Sequence, residues 1–117
     1  MNSPNSDEVC QLHANLCSAL AEPSRILILY SLSEQPRTVN DLAHTVGLGQ
    51  SATSRHLKTL RERGLVRASR HGASVEYSLV DPRLIEALDL LRLILRDTIS
   101  RRANLIDDMR LAFPAAE

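Results

Sequence analysis

The side chains best suited to chemistry in this sequence fall in two groups. One is the run Gln50-Ser51-Ala52-Thr53-Ser54-Arg55-His56-Leu57-Lys58-Thr59-Leu60-Arg61, followed by Arg63, Arg67 and Arg70. Gln matches the edge of adenine, Arg forks onto guanine, and Ser or Thr serves either base. Basic side chains further along such a segment suit phosphate oxygens, which hold a duplex in place without reading it. The other group is Cys10, His13 and Cys17, spaced C-x-x-H-x-x-x-C. Thiolate and imidazole are ligands of soft divalent metals, and steps of three and four bring them near one face of a helix.

The elements that must carry these residues follow from periodicity and punctuation. Val9, Leu12, Leu16 and Leu20 predict a first helix from Asp7 to about Ala21, carrying the Cys-His-Cys trio. Glu22-Pro23-Ser24 breaks the chain, and a second helix is expected from Ser24 to about Ser33, with residues 34–37 as a loop. Thr38 caps a third helix whose inner face is Val39, Leu42, Ala43 and Val46, and Gly47-Leu48-Gly49 is a tight turn. A fourth helix, about 50–63, holds the first chemical group. Its inner stripe is expected among Ala52, Arg55, His56 or Leu57, and Leu60, and Gly64 stops it.

Residues 65–70 and 75–80 predict two strands joined by His71-Gly72-Ala73-Ser74. Asp81 as N-cap and Pro82 in the first turn then open a long helix. It runs through Ile85, Leu88, Leu91, Leu95, Ile99, Ile106 and Met109 and ends before Pro114. Its apolar surface exceeds what one small domain can cover, so part of it is expected to face a second subunit. The fold class is mostly α, an α+β winged helix: helices, a helix-turn-helix, a two-stranded wing and a long C-terminal dimerisation helix. Residues 1–6 are expected to be a disordered N-terminus, 7–112 a single domain and 113–117 a tail.

Charge sharpens this picture. The 117 residues sum to a net charge of zero, which by itself argues against a nucleic-acid partner. The distribution reverses that. Residues 50–72 hold Arg55, Lys58, Arg61, Arg63, Arg67 and Arg70 against Glu62 alone, a surplus of +5. A basic helix is usually just a solvated face. One that follows a short helix and a turn, and leads into a hairpin, is the helix that enters a major groove. Gln50, Ser51, Thr53, Ser54 and Arg55 are therefore candidate base readers, and Lys58, Thr59 and Arg61 candidate phosphate contacts. His56 is either a base contact or half-buried packing. Arg70, with Arg67 and His71, is a candidate for backbone phosphates or the minor groove from the hairpin, with a solvated strand position as the other reading of Arg67.

Composition excludes other classes. Tyr30, Tyr77 and Phe113 are the only aromatics, too few for base-stacking platforms. No phosphate-cradling glycine motif occurs. No apolar run approaches the roughly 20 residues of a membrane span. Met1 to Ser6 lacks the features of a secretion signal, and a cytoplasmic location is expected. His13, His44, His56 and His71 form no recognised catalytic motif, so the chain is not expected to be an enzyme.

Leu20-Ala21-Glu22-Pro23-Ser24-Arg25-Ile26-Leu27-Ile28-Leu29 resembles the second-helix signature of ArsR/SmtB-type transcriptional regulators. Asp41-Leu42-Ala43 and Gly47 through Leu60 resemble their helix-turn-helix. Gly64-Leu65-Val66, Arg70-His71-Gly72 and Tyr77-Ser78-Leu79 resemble their exit and wing. The resemblance spans about residues 9–108. It implies a homodimeric repressor on a palindromic double-stranded DNA operator, released when an effector binds. The family's metal sensors carry Cys-x-Cys where this chain has Thr38 and Asn40. Another family site uses Asp, His and Glu on the last helix, which here offers Asp89 and Asp97 but no His or Cys. Ala73 stands where the wing tip often carries a basic residue.

Cys10, His13 and Cys17 thus remain the candidates for a metal, metalloid or thiol-reactive effector; no cofactor is otherwise assigned. Along a helix Cys10 and Cys17 stand about 10 Å apart, too far for an intrahelical disulfide. The resemblance places this helix at the dimer interface, where a partner subunit could complete a site. The plainer reading is that both cysteines are packing or surface thiols. The alternatives are a regulator with no small-molecule effector and a protein-interaction module of the same fold.

Overall fold

A computed structural model describes residues 6–112. The element order is α1 (Ser6–Ala19), α2 (Pro23–Glu34), β1 (Arg37–Thr38), α3 (Val39–Val46), α4 (Gln50–Glu62), β2 (Val66–His71), β3 (Ser74–Leu79) and α5 (Arg83–Ala112). The expected disordered start gives way at Ser6, which is already helical. The expectations for residues 1–5 and 113–117 lie outside the described residues.

The caps explain the boundaries of the helix-turn-helix. The Thr38 hydroxyl accepts the Asp41 N–H at 3.2 Å and opens α3. Gly47, at φ 71°, closes it in a left-handed conformation that costs glycine least, and Leu48 N–H donates to Ala43 O. At the far end of α4, Leu65 N–H reaches back to Leu60 O at 2.9 Å and turns the chain into β2. Pro23 occupies the first turn of α2, as the sequence predicts, but Pro82 precedes α5, which begins at Arg83.

Up to Pro82 the chain forms one unit around Ala19, Ile28, Leu29, Leu32, Leu42, Ala43, Leu57, Leu60, Leu65 and Val66. The second unit is α5 itself. Leu88 is its buried residue, and from Asp89 to Ala112 no side chain is buried.

The expected wing hairpin forms, and a third strand joins it. The result is a three-stranded antiparallel sheet in the order β1-β3-β2. Val66 to His71 pair with Leu79 to Ser74, and on the other edge of β3, Arg37 faces Tyr77 and Thr38 faces Glu76. Arg37, read as the end of a loop, and Thr38, read as a helix cap, supply this third strand. Two residues are too few to show alternation, but they cover an edge of β3 that would otherwise present unpaired backbone. The pairing anchors the wing to the start of α3.

Candidate nucleic-acid interface

The phase of α4 decides which of its side chains can meet a duplex. Leu57 and Leu60 are fully buried, as expected, but the third buried position is Thr53 rather than Ala52, Arg55 or His56. Thr53 is therefore withdrawn from the base readers: it is 0% exposed and its hydroxyl donates to Gly49 O at 2.9 Å. Sequence alone favoured an apolar residue for that inner position. The helix instead buries a hydroxyl that can bond the preceding turn.

Gln50, Ser51, Ser54, Arg55, Lys58 and Arg61 are all exposed. Ser51, Arg55 and Lys58 recur at steps of four and three along the outer side, so one face presents a hydroxyl, a guanidinium and an ammonium in succession. Thr59 is half-buried and its hydroxyl turns back to Arg55 O at 3.2 Å. Arg67, Arg70 and His71 are exposed on β2. The wing turn is a two-residue one, with Gly72 at φ 64° and the Ser74 hydroxyl donating to His71 O.

His56 takes a different direction from Arg55. It is half-buried on the flank of α4 that faces α2, with its Nδ1 3.4 Å from an Arg25 guanidinium nitrogen. Arg25 is a residue to which sequence reasoning gave no role. The signal was a guanidinium in the apolar run Arg25-Ile26-Leu27-Ile28-Leu29, a place where an arginine needs polar partners to be half-buried.

The remaining candidates stand apart. Thr38 and Asn40 line an open cleft with Gln50, Ala73 and Ser74, between the starts of α3 and α4 and the wing tip, and bring no thiol to it. Cys10, His13 and Cys17 are all exposed on α1 and both thiols are free. Among the described residues no group of three or more His, Cys, Asp or Glu is gathered closely enough to hold a metal ion. As a metal set within one chain the trio is therefore incomplete. No helix among the described residues is long and apolar enough to cross a membrane.

A compact helix-turn-helix with an exposed basic second helix, followed by a hairpin wing, defines the winged helix-turn-helix class of DNA-binding regulators. Comparison with known proteins narrows the class. Residues 22–68 match the family described as bacterial regulatory protein, arsR family. The chain is 41% identical over 88 residues to the HTH-type transcriptional regulator NmtR of Mycobacterium tuberculosis, covering 75% of this chain and 73% of that protein. The crystal structure of M. tuberculosis Rv0081 superposes with a TM-score of 0.75 at 36% identity, covering 87% of this chain and 99% of that one. That of NolR from Sinorhizobium fredii gives 0.70 at 36% identity, with 80% and 96% covered. The protein belongs to the arsR family of bacterial transcriptional regulators.

Proposed function

We propose that the protein is a homodimeric repressor that sets α4 of each subunit into successive major grooves of a palindromic operator and leaves it when an effector binds. Residues 7–112 then act as a single DNA-binding and dimerisation domain. The observation that carries the DNA reading is the outer face of α4, where exposed Ser51, Ser54, Arg55 and Lys58 follow one another within a segment carrying +5. Gly49 precedes α4 without a side-chain cap, so the first N–H groups of the helix also suit a phosphate oxygen.

Support for the second subunit comes from α5. Leu91, Leu95, Ile99, Ile106 and Met109 lie along one stripe and each is more than half exposed. Val9, Leu12 and Leu16 of α1 are exposed too. So much apolar surface marks an interface rather than a solvated helix. A second copy is the occupant that also supplies the second reading helix a palindrome requires. For the effector, two exposed thiols flanking an imidazole favour a soft metal, a metalloid or a thiol-reactive species.

The test compares two variants on a duplex that the wild-type protein selects from a random library. Arg55→Ala costs about 1–3 kcal/mol per half-site on that duplex and relaxes the preference at one base pair of each half-site. Lys58→Ala weakens binding to all duplexes alike and reduces the salt slope by about one per subunit. If both variants bind as wild type does, α4 is not the reading element.

A further inference from the structure

We propose that Arg25 is a positioning residue for DNA reading: through His56 it fastens the recognition helix α4 to the last turn of α1. The inference rests on the DNA reading above and adds the device that sets the attitude of the reading helix.

One guanidinium spans three helices. From its place on α2, Arg25 donates through Nε to Ala19 O at 2.6 Å and through one terminal nitrogen to Ser18 O at 3.3 Å. Both carbonyls belong to the last turn of α1, whose negative dipole end favours a cation, although Ser18 O also accepts the Ala21 N–H at 3.2 Å. The other terminal nitrogen lies 3.4 Å from His56 Nδ1. Arginine has donors only, so Nδ1 accepts and the proton of the neutral ring sits on Nε2. The two carbonyls hold the planar fork, and the fork holds the ring.

The location gives the bond its consequence. The buried stripe Thr53, Leu57 and Leu60 seats α4 on the core through apolar contact, which is non-directional and tolerates a small rotation about the helix axis. His56 sits on the flank, beside that stripe, where such a rotation would break a directional bond. Arg55, the neighbouring candidate base reader, turns with the same helix. In a dimer built through α1 and α5, the separation of the two reading helices depends on how firmly each α4 is tied to its own α1. Arg25 is that tie.

Two measurements on the full-length dimer test it. The first reads the His56 ring nitrogens by NMR at a pH where the ring is neutral. Wild type shows the Nε2–H tautomer, and Arg25→Gln shows a tautomer mixture. An Nδ1–H tautomer in wild type, or no change in the variant, overturns the proposal.

The second uses the duplex selected by wild type and two versions with one base pair inserted or deleted between the half-sites. Arg25→Gln, which removes the bond from both subunits, loses about tenfold of the preference for the native spacing, about threefold for each lost bond. The salt slope stays unchanged. Arg25→Lys, which keeps the charge without the fork, serves if the Gln variant does not fold. His56→Asn retains an acceptor near the Nδ1 position and keeps most of the spacing preference; His56→Ala loses it. The double variant Arg25→Gln/His56→Ala is no worse than His56→Ala alone. Additive losses, or a fall in affinity equal for all three spacings, overturn the proposal. If wild type selects no duplex, the DNA reading fails, and the tie is judged by the ring nitrogens alone.

Discussion

Leu95→Ala should weaken the dimer by one to two orders of magnitude while leaving each subunit folded. Leu95 is 58% exposed in the single chain, in the stretch of α5 where nothing is buried. Burying a whole Leu side chain is worth about 1.5–3 kcal/mol, so a partner still has a little over half of that to gain, about 1–1.5 kcal/mol. A two-fold axis counts every substitution twice. The loss is therefore about 2–3 kcal/mol, or roughly 30–150-fold in the dimer dissociation constant.

Alanine is the best helix former, so α5 itself should persist. Sedimentation velocity over a concentration series gives the constant, and far-UV circular dichroism checks the helix. Leu93→Ala is the control. Leu93 is 47% exposed but lies across the helix from Leu95, on a face that also carries Glu86 and Asp97. A Leu95→Ala dimer as tight as wild type, or equal losses for the two variants, would refute the assignment of this stripe to the partner subunit.

Two further outcomes are expected. Cys10→Ser/Cys17→Ser should keep operator affinity and lose release by thiol-seeking agents, read by titrating a soft metal ion or an oxidant into the protein–duplex complex. A double variant that still releases makes the thiols bystanders. Ser31→Ala should be neutral or stabilising by up to about 1 kcal/mol in thermal or urea unfolding, because the Ser31 hydroxyl is buried in α2 without a hydrogen-bond partner. A loss above about 1 kcal/mol would mean that the hydroxyl has a partner after all.

Legibility in the sequence follows the range of the interaction concerned. The Thr38 cap, the Gly47 turn and the stop at Gly64 each depend on a few neighbouring residues, and each stands where the sequence places it. The helical periods of α1, α3 and α5 are equally local. The third strand was hidden because Arg37 and Thr38 become a strand only by meeting Tyr77 and Glu76, some forty positions away. Thr53 was misjudged for a related reason. Along α4 only Leu57 and Leu60 are large and apolar, so the pattern leaves the inner side of the first turns open, and contact with the rest of the core puts Thr53 there.

Alone, the sequence determined the family, the order of helices and wing, and the concentration of positive charge between residues 50 and 72. Those are properties of residue types and short spacings. Tertiary structure decided which way α4 faces, that His56 turns to Arg25 while Arg55 turns to solvent, and that β3 is paired on both edges. These are decided by partners distant in the chain. A guanidinium, a ring nitrogen and two carbonyls come within bonding distance only after three helices have packed, and no spacing in one segment encodes that meeting.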